Sequence, residues 1–178
     1  MRFLRTRRGR RAGIAGIALL VLAAAGCARA EPGVAAYVGD DRITQRQVDD
    51  AVVAISTTLE EGQTVSTQAV VSAMIHGAMA EQIAARQGIA ITDLDRDEVL
   101  KNSNLAPLLQ VPGARPVIDD IADQQIVVQR LGQQYLTEIS KINVTLNPRF
   151  GVLDPNQKTV IADQSSSLAS PVVASPTP

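Results

Sequence analysis

Apolar positions along this chain repeat in three different ways. They are continuous from Ala12 to Gly26, return every three or four residues between Val48 and Ile142, and alternate with polar residues from Asn143 to Asn147. The middle pattern is helical and the last one is that of a strand. Val34 to Val38 is a brief apolar run that predicts a strand, followed by a turn at Gly39-Asp40-Asp41 and a helix start at Arg42-Ile43. Thr44 suits the N-cap, and Gln47, three residues on, can close a capping box by accepting from the Thr44 amide. Val48, Ala51, Val52, Ile55 and Leu59 then form one stripe, so the first helix should end near Leu59, before the break at Glu60-Glu61-Gly62-Gln63. Ser66 or Thr67 caps a second helix that runs to Gln87 and stops at Gly88. It should be about 30 Å long. Val70, Val71, Met74, Ile75, Ala78, Met79 and Ile83 spread over more of its surface than one contact needs, which predicts a central helix packed from two sides. Thr92 caps a short third helix with Asp93, Asp95, Asp97 and Glu98 near the positive end of its dipole.

Asn102 to Gly113 is apolar but broken, and predicts a loop with a helical turn held by its leucines. Pro116 suits the first position of a last, long helix whose seam is Val117, Ile121, Val128, Leu131, Tyr135, Ile139 and Ile142. Gln124 and Gln125 interrupt that seam, and Gly132 costs about 1 kcal/mol there relative to alanine, so a kink or close contact is expected. Val144 and Leu146 make a strand that stops at Pro148, with Val34 to Val38 as its partner. The fold class expected is therefore mainly α, a helical domain over residues 34–151 with a small two-stranded sheet joining its two ends. Beyond Gly151 the periodicity is lost, and Gln164 to Pro178 is rich in Ser, Pro, Ala and Thr. Residues 152–178 read as a disordered tail.

The unbroken run at the start changes where the domain should live. Its fifteen residues follow Arg2, Arg5, Arg7, Arg8, Arg10 and Arg11 and end in Ala24-Ala25-Gly26-Cys27. That length suits a secretion signal and falls short of the ~20 apolar residues of a spanning helix. Gly26-Cys27 reads as the cleavage junction of a lipobox, with residues 1–26 as signal peptide, Cys27 as the lipidation site for acyl chains such as palmitate, and 27–33 as tether. An Ala-x-Ala cut nearby with a free Cys27, or an uncleaved anchor, are the other readings. Two or more acyl chains hold a bilayer stably, each buried CH₂ contributing ~0.8 kcal/mol. The expected location is the extracytoplasmic face of the cell membrane.

Charge then removes whole classes of partner. With six of the seventeen basic residues ahead of the apolar run, eleven face eighteen acids from Cys27 onward, a net charge near −7. Phe3, Tyr37, Tyr135 and Phe150 are the only aromatics. An acidic surface without stacking platforms opposes nucleic-acid binding. A single cysteine permits neither an internal disulfide nor a cysteine metal cluster.

Three short stretches resemble a known family. Val38-Gly39-Asp40-Asp41-Arg42-Ile43-Thr44, followed by Val48, resembles the opening of the N-terminal domain of SurA-type extracytoplasmic chaperones. Ile75 through Ala85-Arg86-Gln87-Gly88-Ile89 is similar to that family's second signature, and Asn147-Pro148-Arg149-Phe150-Gly151 to the ending of actinobacterial-type lipoproteins that carry the domain. The resemblance covers Val34 to Gly151. It implies a helical domain with a small sheet that binds unfolded polypeptide through apolar surface. It does not imply isomerase activity, because in that family a separate parvulin module carries it.

No residue pattern points to catalysis. His76 is the only histidine, and Ser72, Ala73, Met79 and Ala80, one turn away, are not ligands or base partners, so it reads as a surface or edge residue. Asp93-Leu94-Asp95-Arg96-Asp97 begins like a calcium loop, but Glu98 stands where glycine is needed and Asn104 where a glutamate should close the cage. Helix capping accounts for these acids. Nucleophile elbows and phosphate loops are missing from the sequence. Asn143-Val144-Thr145 is a formal glycosylation sequon on an expected strand, and Met74 and Met79 read as core. The expectation is a non-enzymatic protein without catalytic, metal, cofactor or small-molecule sites, a tethered holdase for unfolded secreted polypeptides. The competing expectation is an envelope adaptor or structural lipoprotein that binds one folded partner. The broken Leu105 to Val111 segment and the groove beside the last helix are the candidate surfaces.

Overall fold

The computed structural model describes residues 31–101 and 103–162. The signal segment 1–26, the Gly26-Cys27 junction and the tail from 163 lie outside the described residues. Within them the chain is mainly α with small antiparallel sheets. Strand β1 (Val34–Val38) turns at Gly39-Asp40 into β2 (Asp41–Thr44), which leads directly into helix α1 (Gln45–Ser56). Thr44 and Gln47 form the capping box, with the Thr44 amide and hydroxyl both donating to Gln47 Oε1. Helix α2 (Thr67–Gln87) is capped by Ser66 and ends at Gly88 in the left-handed region. Helix α3 (Asp93–Leu100) starts from a second capping box, Thr92 with Asp95, and a short 3-10 helix covers Ala106–Gln110.

The apolar stripes explain the packing. α2 buries Val71, Ile75, Met79 and Ile83 completely, and it is covered on one side by the sheet and α1 and on the other by helix α4 (Arg115–Leu131). Full burial of such a side chain stabilises by ~1.5–3 kcal/mol relative to exposure, so this helix organises the core. A satellite cluster of Leu100, Ala114, Ile118 and Ala122 takes up Leu105, Leu108, Leu109 and Val111. Those leucines are used in packing and do not form an open apolar surface.

Four expectations need correction. The sheet has three strands, in the order β2-β1-β3, because residues 41–44 pair with β1 before the helix begins, while β3 (Val144–Leu146) takes the other edge of β1 as expected. A four-residue strand with one buried side chain, Ile43, carries too little alternation to be read from sequence. The first helix stops at Ser56 and residues 57–59 form turns. The long last helix is two: α4 ends at Leu131 and α5 (Gln134–Ser140) follows. Gly132, at φ 56° and ψ −129°, adopts a conformation closed to residues with a side chain, and the turn swings Tyr135 and Ile139 into the core. The fourth correction concerns the tail: residues 152–161 are folded, not disordered. β4 (Val152–Leu153) pairs with β5 (Val160–Ile161), the Val160 amide donates to Ser72 Oγ on α2 at 2.8 Å, and Val160 is buried. The folded body thus extends about ten residues past Gly151. No described helix is long and apolar enough to cross a membrane.

Candidate functional site

Helix α4 carries three acids, Asp119, Asp120 and Asp123, on the side that faces α2 and α3. Two of them are paired. Arg96 of α3 donates from Nε to Asp123 Oδ1 at 2.6 Å and from its terminal nitrogen to Oδ2 at 2.9 Å, and also reaches Asp93 at 2.9 Å. Asp123 is 1% exposed. The hydrogen bond to Asp123 holds the Arg96 guanidinium above its already high pKa. Arg115, in the first turn of α4, donates to Asp119 at 2.7 Å and Asp97 at 3.2 Å. The acids of the 93–97 run therefore divide: Asp95 caps the helix, and its hydrogen bonds from Thr92 hold its pKa low, while Asp93 and Asp97 extend an ionic clamp between α3 and α4.

Asp120 differs. Among the described residues no cation pairs with it, and its carboxyl lies against Gly77 in the middle of α2. A Cβ at Gly77 would overlap both the Cβ and the carboxyl of Asp120, so only glycine lets the two helices approach here. Burial first, then the negative Glu81, Asp123 and Asp119, push its pKa up to about 8, against the smaller opposing pull of Arg96. Glu81, at the exposed lip one turn along α2, is raised too, by desolvation on its inner side and then by Asp123.

These two carboxyls stand between two adjoining hollows. The larger, about 510 Å³, lies between β2, α1, α2 and α4, and has an apolar wall of Ile43, Ala51, Met74, Ala78 and Pro116 with Asp41, Asp50, Glu81 and Asp120 around it and Arg42 as its one cation. The smaller, about 440 Å³, shares Glu81, Pro116 and Asp120 and ends at the arginine clamps. Gln82 Nε2, donating to Val38 O at 2.8 Å and Asp41 Oδ2 at 2.7 Å, ties the hairpin to α2 and sets one wall.

A second cluster surrounds His76. Gln124 Nε2 donates to its Nδ1 at 3.0 Å, the Tyr135 hydroxyl is 3.4 Å from the same nitrogen, and Nε2 is 3.4 Å from Thr159 Oγ1. An acceptor Nδ1 places the proton on Nε2, facing Thr159. Burial lowers the His76 pKa and raises that of Tyr135, so both are neutral near pH 7. The histidine is half-buried, within the surface-or-edge reading, but it has partners that reading did not foresee, since it joins α2, α4, α5 and the β4–β5 turn. Its partners lie 48, 59 and 83 residues away, beyond any local pattern.

Met79 is fully buried, as core packing predicts, and Met74 serves both the core and the cleft. Cys27 and Gly26 lie outside the described residues. Among the described residues no three His, Cys, Asp or Glu side chains are grouped to hold a metal ion. Sequence reasoning passed over Asp119, Asp120 and Asp123; the spacing Asp119-Asp120-x-x-Asp123, which puts three acids near one face of a helix, is the signal that could have marked them, whereas the glycine opposite them is set by packing between helices. The chain matches no family model, no curated protein and no solved structure.

Proposed function

We propose that this chain is a membrane-tethered extracytoplasmic lipoprotein whose domain binds non-native polypeptide segments without catalysis. The observation that carries the reading is the cleft between β2, α1, α2 and α4, open to solvent, with an apolar wall of Ile43, Ala51, Met74, Ala78 and Pro116 inside a polar rim. Its volume accommodates one or two side chains of a client and not a whole folded surface. The lipobox ending in Gly26-Cys27 supports a lipid anchor, and the short motifs of the SurA N-terminal domain support polypeptide as the class of ligand. Among the described residues the hydrogen-bond partners of His76 are Gln124, Tyr135 and Thr159, which fits a joint between elements.

The test uses the full chain in neutral phosphatidylcholine nanodiscs, mixed with two unrelated chemically unfolded proteins while light scattering is followed. Suppressed aggregation of both, relative to empty nanodiscs, is the expected result. No effect on either, together with one protein crosslinked in fixed ratio in intact cells, would assign the adaptor role instead. Labelling with an alkyne analogue of palmitate should mark the wild-type chain and leave Cys27→Ala unmarked.

A further inference from the structure

The apolar cleft carries an uncompensated negative lip. Asp119 and Asp123 are neutralised by Arg115 and Arg96, but among the described residues Glu81 and Asp120 take part in no ion pair. Seating Asp120 costs the fold twice. A glycine stands in the middle of the central helix, where alanine would be better by about 1 kcal/mol, and a partly buried carboxyl sits at the cleft without an ion-pair partner among the described residues. A well-packed core gains nothing from either feature. Both become useful if a cation arrives from outside.

We infer that the cleft selects polypeptide segments in which a lysine or arginine adjoins apolar residues, the apolar side chains lying on Ile43, Met74, Ala78 and Pro116 and the cation docking between Glu81 and Asp120. Charge complementarity commits the site to this occupant. Four acidic side chains and one arginine line the cleft, and of the four only Asp50 has an ion pair, an exposed one to Arg46 at 3.6 Å, so an acidic or phosphorylated segment would be repelled, and an uncharged one would leave Glu81 and Asp120 unmatched. This inference rests on the polypeptide-binding reading and names the kind of segment it prefers.

A pH dependence follows from the groups around Asp120. Glu81 on α2, Asp119 and Asp123 on α4 and Arg96 on α3 act on it, with Asp41, Arg42 and Asp50 across the cleft. Asp120 is protonated at neutral pH and ionises near 8, so a bound guanidinium must either displace that proton or meet a neutral acid. Binding of a cationic segment therefore tightens as pH rises toward 9, and where it ionises Asp120 at neutral pH it releases that proton.

The experiment uses the full chain in neutral phosphatidylcholine nanodiscs and three unstructured fluorescent peptides of alanine and leucine that differ only in a central Arg, Gln or Glu. Fluorescence anisotropy at pH 8.5 should show the Arg peptide bound about tenfold more tightly than the Gln peptide, the worth of one charge-assisted hydrogen bond. The Glu peptide should bind least. In Glu81→Gln/Asp120→Asn the advantage of Arg over Gln should fall to about twofold or less, with the thermal transition of the variant recorded to confirm that it is folded. Equal binding of the three peptides by a chain that still suppresses aggregation overturns this inference and leaves the polypeptide-binding reading standing. An Arg preference that survives in the folded double variant overturns it as well. Failure to bind any peptide or to suppress aggregation overturns both.

Discussion

Asp120 and Asp123 lie three residues apart on the same helix, and the protein treats them in opposite ways. Asp123 is more deeply buried, yet a bidentate guanidinium satisfies both its oxygens. Asp120 is closer to water, has no cation paired with it among the described residues and sits where only a glycine leaves room. The lesson is that burial alone does not decide the state of a carboxyl; the partner does. At Asp123 the charge is a clamp between α3 and α4. At Asp120 it is held in reserve at the edge of an open cleft.

Breaking the paired side of the comparison should have the largest effect. Arg96→Ala leaves Asp123 buried without its counter-charge, and denaturant unfolding should show a loss of about 3 kcal/mol or more. If stability is unchanged, Asp123 is not buried as described. Gly77→Ala attacks the other side. The added methyl overlaps Asp120, and the overpacking should cost about 1–3 kcal/mol despite the better helix propensity of alanine. Adding Asp120→Ala should not restore stability, because the Cβ at position 120 still overlaps, whereas Asp120→Gly should restore part of it.

Asp120→Asn sharpens the contrast by removing the charge while keeping the shape. The folded state holds the Asp120 proton up to about pH 8, whereas an unfolded aspartate loses it near 4. Between those values the folded state binds more protons, so Asp120 makes stability fall as pH rises. Each unit of such a shift corresponds to about 1.4 kcal/mol, reduced here by the water at the cleft mouth. The melting temperature of the wild type should therefore drop from pH 5 to pH 8, and that of Asp120→Asn should drop less, leaving the variant the more stable at pH 8. A steeper slope in the variant would refute the assignment. The smallest effect belongs to the exposed part of the clamp: Asp97→Asn removes a pair open to solvent and should change stability by less than about 1 kcal/mol.

Much of the fold was legible because its signals are local. Thr44 with Gln47, Ser66 and Thr92 are caps whose partners lie within three residues, and the stripe of α2 is set by the period of one helix. The strand Val144–Leu146 was legible from alternation, and its partner from being the other strand in view. The missed elements had no such signal. Ile43 alone carries the buried side of β2, and Val160 is a single anchor in a polar turn that only Ser72, 88 residues away, explains. For Gly132 the sequence indicated a kink, but the apolar seam continued through it, and whether the helix bent or broke depended on where Tyr135 and Ile139 could be buried.

By itself, the sequence determined the mainly α class, the caps, the central helix and the acidic balance of the chain, because each follows from the order and kinds of its residues. Only the tertiary structure decided which charges are answered. Arg96 and Asp123 are 27 residues apart, Gly77 and Asp120 lie on different helices, and His76 finds Gln124, Tyr135 and Thr159 from three separate elements. The energy of a charge depends on its partner and on the water it has lost, and both are properties of packing between elements.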